Sequence, residues 1–492
     1  MEQSVTPGNA LAHIAICGAG LAGYMTAAAL SRHLPATTQI TLVVVDDRPA
    51  ADIFYGSVTA PSAYAFNLSM GVAEPRLVLD SNTIFSLGTY YRDWGGAGRS
   101  WVQGFQLPLP ILNGVQFHQY LTRMEIYDLE PFLVSAEAAK RGAFAHPPDN
   151  NRHPLSRAEY GYQLDAASYA ELFAAVVRTS SARIINAGVA AVECGPEGIT
   201  GLHLSDGQNL VADLYIDATG PDATLLSRIG GRRLGERRLN ATLNRGPSDA
   251  PRAAIRTLSG RDFGWQSTTS VCGAVDQLTV FTEEDEASAL AALGGTPVVR
   301  ASAGFGSQEH AWIGNCAAVG QAAAMIEPLT PAPLMLLQAD IQRLLALIPL
   351  SGDMAMESRE YNRQAGADYG HAELFRRALF ATTPIDRSAY WRAATAQPID
   401  ARLERKIEQF LSRGLLVSYD LEPFTPEDWV ILHYGMGRRP VRRDRLVDQV
   451  PAAEVDTYLA SLRRDIVAAA ARMPAHDTYR ADLKRFLIQK GL

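Results

Sequence analysis

The segment that most constrains the fold is HIAICGAGLAGYMTAAAL, at residues 13–30. A β-rich stretch leads into Gly18, Gly20 and Gly23, and an alanine-rich stretch follows. In a dinucleotide-binding fold the first glycine permits a tight turn, the second lets the backbone approach a pyrophosphate, and the third lets the helix pack closely on the strand. The N-terminus of the helix then faces the phosphates. The motif therefore predicts a dinucleotide site at this strand–turn–helix unit.

Two later stretches indicate which dinucleotide is bound. The next β-rich run, QITLVVVDD, is expected to end with an acidic residue on the adenosine ribose. Asp46 and Asp47 are the candidates, and a solvated acidic turn is the alternative for each. Further on, LVADLYIDATGPDATLL is predicted to be a buried strand that ends in a turn at Gly220. Flavoproteins use such a strand to bring the chain back beside the cofactor, so the pair of signatures favours FAD over NAD.

The distribution of periodic segments predicts an α/β fold followed by a helical region. Short β-rich runs alternate with helical ones in the N-terminal half, and apolar residues recur at helical spacing from about residue 335 onward. We expect residues 1–335 to form an α/β box with substrate-facing insertions at about 80–160, and residues 336–492 to form a helical module covering the substrate pocket.

Composition excludes several classes of protein. A net charge of -7 and a pI near 5.9 argue against a nucleic-acid binder. The four cysteines are far apart and form no CxxC, and no HxH or HxxxH pair occurs, so no disulfide framework and no metal site are predicted. The N-terminus lacks the plan of a signal peptide, and no apolar run reaches the length of about 18 residues that a membrane-spanning helix needs. We expect a cytoplasmic protein without a membrane segment.

Several motifs, in order along nearly the whole chain, resemble those of the flavin-dependent tryptophan halogenases. GAGLAG begins the series, and YGSVTAP resembles the family's Gly-Glu-Ala-Thr-x-Pro strap over the flavin. AGVAAVE, WIGNCAAVGQAAAMIEPL, FTPEDWVILHYGMGRRPVRRDRLVD and MPAHDTY resemble later family segments. The resemblance implies a two-part FAD-binding fold of the flavin-monooxygenase and halogenase type, α/β in class, with a mainly helical C-terminal module.

The resemblance also implies the cofactor contacts and a partner. Because no second nucleotide site for NAD(P)H is evident, reduced flavin is expected from a separate flavin reductase. The residues that carry over as FAD contacts are Gly18, Gly20, Leu21, Ala22, Gly23, Thr59, Val189, Gly220 and Gln321, with Leu334 near the isoalloxazine.

The departures from the family fall in its halogenating machinery. The family's catalytic lysine corresponds to Ser86, and its catalytic glutamate corresponds to Thr330. The Ser-Thr-Gly of its halide site corresponds to residues 331–333, Pro-Ala-Pro, which removes two hydroxyls and two backbone N–H donors. Its Trp-x-Trp-x-Ile-Pro motif survives only as Trp265, with Ser267 in place of the second tryptophan. We therefore expect no halogenation.

The same prolines carry a structural expectation. MIEPLTPAPL, at residues 325–334, contains three prolines, each of which fixes φ and disfavours the α region for the residue before it. We expect this segment to be extended, in the gap between an alanine-rich run and a helix beginning at about residue 335.

Each of the remaining site candidates also has a purely structural explanation. Ser86 and Thr330 occupy the catalytic positions by resemblance, although each is more simply explained as a pocket wall. Glu327 is a candidate general acid or, alternatively, a residue that holds the backbone amides of its turn. The substrate-pocket candidates are Phe105, Trp265, Trp429, His433 and Tyr434. Buried aromatic packing is the alternative for this set, and a structural helix histidine is the alternative for His433.

These observations lead to an FAD-dependent oxidoreductase, most simply a monooxygenase that acts on an aromatic or heteroatom-bearing small molecule. The alternatives are a flavin oxidase or dehydrogenase, a non-catalytic FAD-binding protein and, least expected, a true halogenase. The sequence leaves open the identity of the substrate, its attachment to a carrier or peptide, the general acid or base, and whether the chain forms a homodimer.

Overall fold

A computed structural model describes residues 11–46, 48–95, 98–105, 109–150, 152–153, 155–235, 237–247, 252–271, 273–349, 352–382 and 385–492. The second candidate for the ribose contact, Asp47, lies outside the described residues. The chain forms two compact units, each assembled from three separate segments. The first unit comprises residues 1–82, 164–241 and 299–370, and the second comprises 83–163, 242–298 and 371–492.

The structure alternates strands and helices up to about residue 330 and is helical thereafter. The strands are β1 (His13–Cys17), β2 (Gln39–Val43), β3 (Ile84–Ser86), β4 (Gly88–Trp94), β5 (Arg99–Gly104), β6 (Ile111–Leu112), β7 (Val115–Gln116), β8 (Gly161–Gln163), β9 (Arg183–Ile185), β10 (Val189–Gly195), β11 (Gly198–Leu204), β12 (Asn209–Leu210), β13 (Leu214–Asp217), β14 (Arg233–Leu234), β15 (Arg238–Pro247), β16 (Arg256–Arg261), β17 (Gly264–Val271), β18 (Ala274–Phe281), β19 (Val299–Gly304), β20 (Gly306–Gln308), β21 (Trp312–Ile313), β22 (Cys316–Ala318) and β23 (Ala324–Met325). The α-helices are α1 (Gly20–His33), α2 (Ala63–Ser69), α3 (Glu74–Asp80), α4 (Phe117–Arg123), α5 (Val134–Lys140), α6 (Ala166–Arg178), α7 (Glu286–Ala291), α8 (Ala332–Ala346), α9 (Ala355–Ala378), α10 (Ala389–Thr395), α11 (Ala401–Arg413), α12 (Pro426–Gly435), α13 (Ala452–Arg472) and α14 (His476–Gln489).

The first unit is built on a six-stranded sheet in the order β21-β22-β13-β1-β2-β9. The pairings of β1 with β2 and β13, of β2 with β9, and of β13 with β22 are all parallel. Cys17 lies opposite Val43 on one side and Asp217 on the other, so these strands end at a common edge. In open parallel sheets ligands bind beyond this carboxyl edge. The predicted glycine turns at Gly18 and Gly220 both follow strands that end there.

The expected extended segment at residues 325–334 is in part wrong. Its last three residues form the first turn of α8, with Pro331 as the N-cap (φ −67°) and Pro333 at the second helical position. A helix leaves its first N–H groups without intrahelical partners, so a proline in the first turn costs no hydrogen bond and its fixed φ suits the helix. These prolines therefore start the helix that they were expected only to precede.

The second unit contains a mixed sheet, and five neighbouring strands of it follow the order β18-β17-β16-β4-β5. β16 pairs parallel with β4, whereas β17 pairs antiparallel with both β16 and β18. A short antiparallel pair, β3 with β8, carries the segment around residue 86. Helices α10 to α14 belong to this unit, whereas residues 299–370, which include α8, belong to the first unit. The division at residue 335 stays a prediction.

Candidate functional site

The glycine turn after β1 is held by backbone packing that leaves no room for side chains. A Cβ on Gly18, whose φ is +105°, would lie 2.2 Å from the carbonyl oxygen of Ala218, and a Cβ on Gly23 would lie 2.1 Å from the carbonyl oxygen of Gly18. The N–H of Gly18 donates to Val43, and that of Ala218 donates to Cys17. The third glycine thus lets α1 sit directly on the turn, as the motif predicts.

A second turn, after β13, is organised by one buried carboxyl group. Asp217 is fully buried, and its Oδ1 accepts from the N–H and Oγ1 of Thr219, at 3.0 and 2.6 Å. Its Oδ2 accepts from the N–H groups of Leu225 and Leu226, at 2.8 and 2.9 Å. Burial raises the pKa of Asp217, against these hydrogen bonds. The turn that carries Gly220 (φ +81°) is therefore closed around Asp217.

The other expected cofactor positions of the first unit are mostly buried. Thr59 and Leu334 are fully buried, and Val189, at the start of β10, is half-buried. Gln321 is 3 % exposed and its Nε2 donates to the carbonyl oxygen of Ala51 at 2.8 Å. The residues brought to the carboxyl edge fit a bound dinucleotide, because Gly18 and Gly23 give close backbone packing and the first N–H groups of α1 have no partner within the helix. The individual contacts stay predictions.

The acidic candidate for the ribose contact, Asp46, is exposed, and its Oδ1 accepts from the N–H of Arg48 at 3.0 Å. A different carboxyl group, that of Asp52, reaches the glycine motif itself. Its Oδ2 accepts from the N–H of Leu21 at 3.0 Å, and burial raises its pKa to about 7. No sequence motif indicates Asp52, which lies on a 3-10 helix, Ala50–Tyr55.

Two polar side chains of the segment at residues 325–334 have partners within the first unit. Thr330 Oγ1 accepts from the N–H of Ala332, the first residue of α8, at 3.2 Å. Glu327 is fully buried in its side chain and forms an ion pair with Arg237, with 2.6 Å between Oε2 and Nη1. No local sequence pattern indicates Arg237, which comes from a segment 90 residues away. Thr330 and Glu327 are thus both buried and both have a partner in the protein.

A buried network holds the neighbouring turn. Asp340, on α8, accepts from the N–H of Gly320 at 2.9 Å and from Tyr369 Oη at 2.7 Å, and it pairs with Arg343 at 2.9 Å. Burial raises the pKa of Asp340 to about 6. Since Gly320 directly precedes Gln321, this network fixes the turn that presents an expected cofactor contact.

The remaining catalytic candidate, Ser86, lies in the second unit. It is 1 % exposed at the end of β3, and its Oγ donates to the carbonyl oxygen of Gly88 at 3.3 Å. The preceding residue, Phe85, stacks on Phe144 with ring centroids 4.5 Å apart. Successive side chains of a strand point to opposite faces, so Ser86 faces away from that aromatic cluster.

The expected substrate-pocket residues also lie in the second unit, and most are buried. Phe105 is half-buried, whereas Trp265 is fully buried in β17. On α12, Trp429 donates from Nε1 to Glu422 at 2.6 Å, and the ring of His433 stacks on Phe410 at 4.0 Å. Burial, and then the charge of Arg438, lower the pKa of His433 well below its usual value. Tyr434 lies near Arg439, whose guanidinium is 4.4 Å from the ring centroid. Their role in a substrate pocket stays a prediction.

Two further properties concern the described part of the chain. It contains no group of three His, Cys, Asp or Glu side chains that could hold a metal ion. In those same residues, no helix combines the length and the apolar character needed to cross a membrane.

The model of the family described as tryptophan halogenase matches residues 13–452. BrvH, a flavin-dependent halogenase from Brevundimonas sp. BAL3, has a similar structure, with a TM-score of 0.86 and 26 % identity over 96 % of this chain and 99 % of that one. A flavin-dependent halogenase from Xanthomonas campestris gives a TM-score of 0.87 and 25 % identity over 97 % and 98 %. Tryptophan 7-halogenase KtzQ from Kutzneria sp. (strain 744) is 23 % identical over 95 % of this chain and 98 % of its own. The α/β FAD-binding fold expected from the sequence is confirmed.

Proposed function

Because the chain belongs to the tryptophan halogenase family and FAD is its cofactor, we propose that it is an FAD-dependent monooxygenase rather than a halogenase. The substrate would be an aromatic or heteroatom-bearing small molecule, and a separate flavin reductase would supply reduced FAD. One oxygen atom of O2 enters the substrate and the other leaves as water, with two electrons drawn from reduced FAD.

The N-terminus of α8 is the single observation that carries this proposal. An anion at a helix N-terminus is held by the free N–H groups of the first turn. Here Pro331 and Pro333 have no N–H, and the N–H of Ala332 already donates to Thr330. By the resemblance described above residues 331–333 correspond to the halide site, and none of these three residues offers a free N–H donor.

The three acid–base candidates support the same proposal. The carboxyl group of Glu327 is held in an ion pair with Arg237, with 2.6 Å between Oε2 and Nη1. A threonine hydroxyl at position 330 and a serine hydroxyl at position 86 are poor proton carriers near neutral pH unless a base activates them. FAD, when bound, supplies the redox chemistry of the reaction. The protein's share is then to bind FAD at the glycine turns and to orient the substrate.

The test is product analysis with labelled oxygen. The holoprotein is incubated with a flavin reductase, NADH, ¹⁸O2 and a panel of indoles, phenols and amines, with and without bromide. We expect a product that carries one labelled oxygen atom and forms at the same rate in both conditions. A brominated product would overturn the proposal in favour of a halogenase.

A second measurement addresses the oxidase alternative. Substrate added without oxygen or reductase is expected to leave the absorption of oxidised FAD unchanged. Anaerobic bleaching of FAD by the substrate alone would instead identify an oxidase or dehydrogenase. A separate variant, Ser86→Ala, tests the role of Ser86. If Ser86 only lines the pocket, the kcat of the variant stays within about threefold of the wild type. If Ser86 is an activated proton carrier, kcat falls about a hundredfold or more.

A further inference from the structure

The carboxyl group of Asp52 lies over the first turn of α1, where the dinucleotide motif is expected to receive phosphate. Its Oδ2 is 3.0 Å from the N of Leu21. A Cβ placed on Gly20 would lie 2.4 Å from the same oxygen, so Asp52 fills the space that the second glycine leaves open. That space is the one through which a pyrophosphate approaches the backbone.

A carboxylate and a phosphate bind to the same groups at a helix N-terminus. Both are anions that accept from the free N–H groups and are stabilised by the positive end of the helix dipole. The N–H of Leu21 serves Asp52 in this arrangement, and two anions at one helix end would repel each other.

The surroundings of Asp52 favour its neutral form. The residue keeps some contact with solvent, but its carboxyl group is enclosed, and this burial is the main cause of a pKa of about 7. Asp46, on the loop after β2, raises the pKa further, whereas the N–H of Leu21 lowers it. Tyr55, on the same 3-10 helix, interacts electrostatically with Asp52 and with Asp340 of α8. The charged group that acts on Asp52 is therefore another acid, Asp46.

We propose that Asp52 occupies the phosphate position of the dinucleotide site in the FAD-free protein, and that its ionised carboxylate competes with the pyrophosphate of FAD. FAD binds when Asp52 is protonated or displaced, so the affinity for FAD falls as the pH rises through the titration of Asp52. This inference rests on FAD being the cofactor and is independent of the reaction that FAD supports.

The test measures FAD binding, not turnover. Apoprotein is titrated into FAD between pH 5.5 and 8.5, and the dissociation constant is taken from the change in flavin fluorescence. If binding requires one proton, the dissociation constant rises about tenfold per pH unit above the pKa of Asp52. Asp52→Asn, which keeps the shape and loses the charge, is expected to bind FAD at pH 8.5 at least about tenfold more tightly than the wild type, with a flat pH profile.

A second variant is Asp46→Asn, which removes the acid whose charge raises the pKa of Asp52. This variant is expected to shift the midpoint of the curve of dissociation constant against pH and to leave the slope of that curve unchanged. Weaker binding by Asp52→Asn at every pH would overturn the proposal and make Asp52 a direct ligand of FAD. A flat profile in the wild type would overturn it without any variant, so the test does not depend on how Asp52→Asn folds.

Discussion

Asp217 offers the sharpest test of how the cofactor turn is built. Its two oxygens accept four hydrogen bonds, two from Thr219 and one each from Leu225 and Leu226, in a fully buried place. In Asp217→Asn one oxygen remains, and the amide NH2 must face one of the two pairs of donors. Two hydrogen bonds are lost and buried donors are left unpaired, at about 1–3 kcal/mol for each donor.

The expected cost is about 2–4 kcal/mol, because the neutral amide escapes the desolvation that raises the pKa of the carboxyl group. Hydrogen exchange of the peptide that spans residues 214–230 measures this opening locally. At about 1.4 kcal/mol per factor of ten, the amides of Leu225 and Leu226 should exchange about 30-fold to 1000-fold faster. FAD should also bind more weakly, since the turn packs on Gly18.

Asp213→Asn is the matched control. Asp213 lies just before the same strand, and one of its oxygens accepts from the N–H groups of Ala12 and His13, both at 2.8 Å, in an exposed place. An asparagine can present its single oxygen to both donors, so exchange at residues 214–230 should stay as in the wild type. Unchanged exchange in Asp217→Asn as well would refute the view that this carboxyl group holds the turn closed.

Three further outcomes are expected. Gly23→Ala should weaken FAD binding at least tenfold by fluorescence titration, since its Cβ would lie 2.1 Å from the carbonyl oxygen of Gly18 and α1 must move; wild-type affinity would contradict this reason. Lys406→Met should lower the free energy of unfolding by about 3–5 kcal/mol in urea titrations, because it leaves the buried carboxylate of Glu422 without its ion-pair partner, and an unchanged urea midpoint would refute this. Asp340 has a pKa of about 6 when folded, above the value of about 3.9 for an unfolded aspartate, so the folded state binds the proton more tightly and its stability falls as the pH rises from about 4 to 6. The difference in free energy of unfolding between wild type and Asp340→Asn, from urea titrations at pH 4.5 and pH 7.5, should therefore be smaller at pH 7.5, and an equal or larger difference would contradict that sign.

The sequence predicted the parts of the first unit that depend on local geometry. The glycine spacing at residues 18–23 requires a strand, a tight turn and a helix in that order, and β1 and α1 follow it. The same holds for the strand before Gly220. In both places a glycine in the sequence indicates a backbone conformation that other residues adopt only with strain.

The parts that escaped prediction depend on contacts between distant segments. Asp52 meets the N–H of Leu21, and Arg237 pairs with Glu327, through tertiary packing that no local pattern signals. The start of α8 was misjudged for a different reason. Prolines oppose helix interiors but suit the first turn, and the sequence alone did not distinguish an interruption from a beginning.

The chain passes between its two units five times. The first unit needs residues as late as 370, and the second needs residues from 83 to the last helix. During synthesis from the N-terminus, the β1–α1 turn is therefore made long before the strands that complete its sheet leave the ribosome. No single cut in the chain separates the units, so fragments that carry the glycine motif alone should fail to fold, and complementation would need pieces drawn from both halves of the polypeptide.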